Sequence, residues 1–172
     1  MESKVSSKNI MLNYGVALGV VGLMPSLVQY ALGQHLEQNP LYSVVSIVIT
    51  IVFIVLGLKK FKAANDGIMS WGQGLKIGMG MTVISLVIGL IYLYIFSNVI
   101  EPTFKDDALA RSLQQLQDTD YSQEVIDSQM QLAGDYFYVF MYGFAVAGAL
   151  FIGFVISAIT AAIMKKSDPN SY

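Results

Sequence analysis

The chain has no cysteine and a single histidine, His35, and these scarcities close off several chemistries before any pattern is read. Without thiols there is no disulfide, no thiolate nucleophile and no cysteine metal site. Charge is scarce as well: 13% of the 172 residues are Asp, Glu, Lys or Arg, against 55% hydrophobic. A soluble domain carries about 25% charged and about 45–50% apolar residues, so a membrane is the expected solvent. The basic residues form no surface interleaved with aromatics, which argues against nucleic acid as a partner. Once several spans are subtracted, the length leaves no segment able to fold as a separate soluble enzyme domain.

Four long apolar runs are present, at residues 10–33, 41–58, 77–100 and 136–164. At a rise of ~1.5 Å per residue the first would reach ~36 Å, enough to cross a hydrocarbon core of ~30 Å with some tilt. Pro25 lies inside it and predicts a kink. Asn39-Pro40 marks the start of the second span. Tyr92, Tyr94 and Phe96 gather near the far end of the third, where an aromatic belt belongs. An alternative reading of the first run is a secretory signal peptide. Lys4 and Lys8 would be its basic region and Ala31-Leu32-Gly33 its cleavage site.

The few charges sort by side. Lys4, Lys8, Lys59, Lys60, Lys62, Lys76, Lys165 and Lys166 fall at one set of span ends, leaving Lys105 and Arg111 at the other. The positive-inside rule then makes both termini and the basic stretch 57–80 cytoplasmic. Residues 101–135 are external on this reading and carry eight acids against two bases. Leu109, Leu113 and Leu116 recur there at helical spacing, and Ile126, Met130, Ala133 and Phe137 do so again. Two amphipathic helices are implied, with Asp120 and Gln123 as a capping box. The second helix is expected to run straight into the fourth span, with Gly134 weakening the junction. The expected fold is therefore an all-α membrane protein of four transmembrane helices, with an external amphipathic helical hairpin between the third and fourth. The leucine stripe either packs against Ile126, Met130 and Ala133 or docks a basic partner protein.

Small residues form helix faces. Gly74, Gly78, Thr82, Ser85 and Gly89 share one face of the third helix, and Ala145, Ala149, Gly153, Ser157 and Ala161 one face of the fourth; Gly15 and Gly19 make a GxxxG on the first. Such stripes let backbones approach closely, either within one chain or between copies in a homo-oligomer. The glycines at 72–78 lack both the dinucleotide and the Walker spacing, so no nucleotide site is expected. Asp118 and Asp120 echo the start of a calcium loop without its glycine and later glutamate. His35 with Glu37 offers two metal ligands and no third, and a solvated loop pair is the expected state. No ionisable residue lies in the middle of a span, which argues against a proton-coupled carrier or a pump. Asn13, Gln29 and Asn98 remain as candidates for a polar path.

The segments GLKKFK (57–62) and GIMSWGQGLKIG (67–78) resemble the central signature of domain of unknown function 4199, a bacterial family of small membrane proteins. That family pairs a G-x-K-K-aromatic end of the second helix with an aromatic-G-x-(A/G)-x-K-x-G start of the third. Here Trp71 stands where Phe is commoner, and Gly74 where Ala is. The resemblance implies a four-helix protein of the inner membrane and carries over no catalytic residue or cofactor. The residues themselves point to a non-enzymatic interaction or accessory subunit working through its acidic external segment, the alternative being a small oligomeric channel or carrier.

Overall fold

The computed structural model describes residues 6–37 and 39–166. In chain order these form α1 (Ser7–Gly22), α2 (Met24–Ala31), α3 (Pro40–Ala64), α4 (Trp71–Ile95) with a π-helical turn at Phe96–Ile100, α5 (Phe104–Gln117), α6 (Gln123–Asp135) and α7 (Phe137–Met164). Four stretches are long and apolar enough to cross a membrane: Ser7–Ala31, Pro40–Ala64, Trp71–Ile100 and Phe137–Met164, with mean hydropathy between 1.6 and 2.7.

Local chemistry sets the boundaries. The first span breaks at Leu23, with Pro25 in the first turn of α2, where a missing N–H costs least. Asn39 caps α3 by accepting from the Leu41 amide at 3.0 Å, and Pro40 opens the helix. At the other end of α3, Asp66 and Gly67 take φ of 53° and 77°, and the Gly67 amide donates to the Lys62 carbonyl at 2.8 Å. This is the left-handed stop that glycine makes cheap. Ser70 starts α4 in a capping box, accepting from the Gln73 amide at 3.2 Å while its own amide donates to Gln73 Oε1 at 2.9 Å.

Several expectations are corrected here. The helices reach beyond the apolar runs: α3 continues past residue 58 to Ala64, and α4 starts at Trp71, ahead of the run at 77–100 and where the resemblance implies, so the connecting loop is only residues 65–70 and the lysines stand on the helices. Hydropathy drops at the first lysine, but a helix does not stop there, because lysine is a good helix former whose long stem reaches for water. The capping box expected at Asp120 is absent: Ser122 is the N-cap of α6, without a side-chain bond, and Gln123 Nε2 donates instead to Asp127 Oδ1 at 2.9 Å. Nor do α6 and α7 run together, since Tyr136 interrupts them with φ −111° and ψ 18°.

The helices pack in a definite register. A Cβ at Gly74 would stand 2.7 Å from Ala161 Cβ, one at Gly78 2.7 Å from Ser157 Cβ, and one at Gly153 2.9 Å from Thr82 Cβ. Numbers rising on α4 meet numbers falling on α7, so these helices are antiparallel. Gly15 lies against Met81 and Ile84, and Gly19 against Ile88, so α1 runs parallel to α4. The helix α3 completes the assembly by packing on α1 and α7. Ile10, Ile54, Leu58, Met69, Ile77, Met81 and Ile156 form the core between them.

These directions put Ser7, Ala64, Trp71 and Met164 at one end and Ala31, Pro40, Ile100 and Phe137 at the other. Lys8, Lys59, Lys60, Lys62, Lys76, Lys165 and Lys166 mark the first as the basic end. Lys4, read with them from the sequence, lies outside the described residues. The acidic stretch 101–135 leaves from the second end. There α5 and α6 contact each other, Ile126 is buried, and Leu109, Leu113 and Leu116 are each half-buried. Leu109 Cδ1 approaches Gly134 of α6, 4.0 Å from where a Cβ would stand.

Candidate functional site: a cavity between the spans

Burial is unequal along the spans. In α3 the buried residues are Ile54, Gly57 and Leu58, with none in 40–53. In α7 they are Gly153, Ile156, Ser157, Thr160 and Ala161, with none in 137–152. The helices α3 and α7 are therefore packed toward the basic end and unburied toward the acidic end, whereas α1 and α2 stay on α4, with Gly19 against Ile88 and the Tyr30 and Phe96 rings 5.3 Å apart. A cavity of about 630 Å³ occupies the space between them. Its volume falls within the ~300–1,000 Å³ of small-molecule sites.

Every span contributes to the wall. Ser26 and Gln29 come from α2, Ser43, Ser46 and Thr50 from α3, Thr82 and Ser85 from α4, and Ala149 and Gly153 from α7. Leu18, Ile47, Leu86 and Ile152 add apolar surface, and Glu37 and Asn39 stand where the loop before α3 borders the cavity. Several hydroxyls are oriented by backbone carbonyls: Ser46 Oγ donates to the Tyr42 carbonyl at 2.9 Å, Thr50 Oγ1 to the Ser46 carbonyl at 2.9 Å, and Thr82 Oγ1 to the Gly78 carbonyl at 3.0 Å. The Tyr42 hydroxyl donates to Gln34 Oε1 at 3.0 Å.

Of the candidates for a polar path, Gln29 lines this cavity, whereas Asn13 and Asn98 are outside its wall. Asn13 is exposed. Asn98 turns back on its own helix, with Nδ2 donating to the Tyr94 carbonyl at 2.9 Å and to Ser97 Oγ at 3.0 Å. Among the packing candidates, Gly74, Gly78, Gly153 and Ser157 meet their partners across α4 and α7, Ala149 lines the cavity, and Gly89 has nothing within 4 Å of where a Cβ would stand. Sequence reasoning missed the serines and threonines of α3. The signal was there, since Ser43, Ser46 and Thr50 repeat at helical spacing along an otherwise Val- and Ile-rich helix.

His35 corrects another expectation, for it is half-buried rather than solvated. Its ring lies 5.4 Å from Tyr30, 5.9 Å from Phe96 and 6.5 Å from Phe104, with Nδ1 buried and without a partner. The aromatic cluster joins α2, the π-helical turn and the start of α5. Among the described residues no three His, Asp or Glu side chains gather as metal ligands.

The sequence profile of a family described as protein of unknown function, DUF4199, matches residues 13–166. The chain belongs to that family. No curated protein and no solved structure matches it.

In this DUF4199 chain the two segments 57–62 and 67–78 build a clasp that shuts the basic end. Lys62 Nζ donates to the Met164 carbonyl at 2.9 Å, placing a cation on the negative end of the α7 dipole. Met69 and Lys166 form an antiparallel bridge, with N–O distances of 3.1 and 2.9 Å. Trp71 Nε1 donates to the Ala158 carbonyl at 3.1 Å, deeper into α7 than Met164. Gly74 and Gly78 then let α7 lie directly on the α4 backbone.

Proposed function

We propose that this DUF4199 protein is a non-enzymatic binding protein of the bacterial inner membrane, with both termini cytoplasmic and a cavity that receives its ligand from the external side. The observation that carries this is the cavity between the spans, with polar side chains from α2, α3 and α4 set among apolar ones in its wall, and backed by the packed, clasped basic end. The lysines at the basic end support the orientation through the positive-inside rule. The Ile10 and Leu18 side chains of α1 belong to the buried interior, a role that supports a retained span rather than a cleaved signal peptide. A binding role is favoured over a through-channel because Gly78, Met81, Thr82 and Ser157 fill the space beneath the cavity. The chain lacks cysteine, so single cysteines report without background. Ser46→Cys should react with an impermeant thiol reagent applied from outside, and Ser70→Cys only after the cytoplasmic side is opened. Equal reaction of Ser46→Cys from both sides would establish a channel instead.

A second reading assigns the work to α5 and α6, as an accessory subunit docking a basic partner protein. It is supported by the excess of eight acids over two bases in 101–135 and by exposed Tyr121, Val125 and Leu132. Because Leu109, Leu113 and Leu116 are half-buried, docking would fall mainly to these other side chains. Replacing residues 104–133 by a Gly/Ser linker should abolish capture of such a partner while leaving Ser46→Cys reactive.

A further inference from the structure

The hydrogen-bonding groups of the cavity wall are almost all neutral and include both donors and acceptors, and this identifies what it can hold. A hydroxyl has one proton to give and two lone pairs to offer. Tyr42, Ser46, Thr50 and Thr82 have each committed that proton, three of them to a carbonyl of their own helix. Toward the cavity they are left as acceptors. Asn39 Oδ1 is likewise an acceptor, already holding the Leu41 amide, and Glu37 adds a carboxylate at the loop, while the hydroxyls of Ser26, Ser43 and Ser85 and the amide groups of Gln29 and Asn39 keep protons to give.

Charge narrows the choice. No Lys, Arg or His lines the cavity among the described residues, so a phosphate, sulfate or carboxylate would find no counter-charge and would face Glu37. A cation would find Glu37 only in the loop, with neutral hydroxyls at the level of Thr50 and Thr82, and an ion at membrane depth is costly without a paired charge. Neutral hydroxyls on one ligand, each able both to donate and to accept, satisfy the wall without that cost. The apolar residues Leu18, Ile47, Leu86 and Ile152 provide for a hydrocarbon portion, and the unburied halves of α3 and α7 leave room for a chain to lie between them.

Resting on the reading of the cavity as a binding site, we propose that it takes the head group of a neutral, polyhydroxylated single-chain amphiphile. Its hydroxyls donate to the oxygens of Ser46, Thr50 and Thr82, and its alkyl chain lies between α3 and α7.

The test uses the full chain carrying Ser43→Cys, a wall position outside that acceptor set, in phosphatidylcholine nanodiscs. Octyl glucoside, octyl phosphate and octylamine are compared for their ability to slow alkylation by an impermeant maleimide, with Ser122→Cys on the α6 cap as the control. Octyl glucoside should protect Ser43→Cys in a saturable way and leave Ser122→Cys unaffected. Adding Thr50→Val should raise the concentration needed about fivefold, the ratio corresponding to one net hydrogen bond of about 1 kcal/mol. Ser46→Ala removes a second acceptor and keeps the test decisive if Thr50→Val fails to fold. Protection by octyl phosphate or octylamine equal to that by octyl glucoside, or none by any probe, would overturn the assignment of the head group. Failure of Ser43→Cys to react at all, with no probe present, would overturn the cavity reading beneath it.

Discussion

The basic and acidic halves of α3 and α7 are built from similarly apolar residues, yet only the basic halves hold buried residues. Toward the basic end Ile54 and Leu58 are 0% exposed, and Gly74, Gly78 and Gly153 each lie closer to a neighbouring side chain than a Cβ would allow. Toward the acidic end α3 has no buried residue before Ile54, and the same helices enclose a cavity. Apolar composition makes a helix compatible with lipid in both halves. It does not make helices pack, because hydrocarbon outside is as good a neighbour for leucine as another helix is, and close fit must supply the attraction.

The sharpest way to break this comparison is to make the same substitution on both sides of it. Gly78→Leu puts a side chain where Ser157 stands, and overpacking of this kind costs about 1–3 kcal/mol or more. The variant should be lost or strongly destabilised in thermal unfolding in detergent. Gly89→Leu, with nothing within 4 Å of the added Cβ, should unfold with the parent. Equal losses would mean that α4 is packed along its whole length.

Within α3 the same contrast should be smaller but still clear. Leu58→Ala removes a fully buried side chain and is expected to cost about 2–5 kcal/mol, the range for large-to-small core changes. Val44→Ala, at an exposed position on the same helix, should stay within about 0.5 kcal/mol of the parent. A thermal shift for Val44→Ala as large as that for Leu58→Ala would contradict an open acidic half.

The clasp should show a more modest effect. Trp71→Phe keeps the ring but loses the donor to Ala158, which should cost about 1 kcal/mol. Its distinct signature is faster proteolysis or amide exchange at the C-terminal turn of α7. No change there would remove the clasp as the device that holds the end shut.

The smallest comparison concerns helix caps. Ser70 accepts from Gln73 in a closed capping box, whereas Ser122 makes no side-chain cap bond. Ser70→Ala should therefore cost about 1 kcal/mol, and Ser122→Ala a few tenths at most, both read from thermal midpoints. A larger loss at Ser122 would place a cap interaction where the structure has none.

How much of this was legible in the residues depended on how local each property is. The spans could be read because hydropathy belongs to a segment alone, and the kink at Pro25 because a missing N–H acts within one turn. The apolar runs end six residues before α3 does and begin six residues after α4 does, because Lys59, Lys60, Lys62 and Lys76 interrupt the hydropathy but not the backbone hydrogen bonding. Spacing offers a capping box at Asp120 and the structure forms one at Ser70, since a motif of spacing recurs by chance and only the backbone geometry selects one copy. Gln29 stands out as a polar residue within a span, whereas the hydroxyls of α3 do not. Serine and threonine are cheap in a helix when they bond to the turn before, so a functional stripe of them resembles ordinary span composition.

By itself, the sequence determined the number of spans, the segregation of lysine from acid at their ends, and the small-residue faces available for close contact. Only the tertiary structure decided where those faces are used. The stripe on α4 runs on through Ser85 to Gly89, and that on α7 back through Ala149 to Ala145, yet the close seam ends at Thr82 and Gly153. Helices packed at a crossing angle separate with distance from the point of closest approach. Small residues beyond that point have no backbone to meet, and the space they leave becomes the cavity.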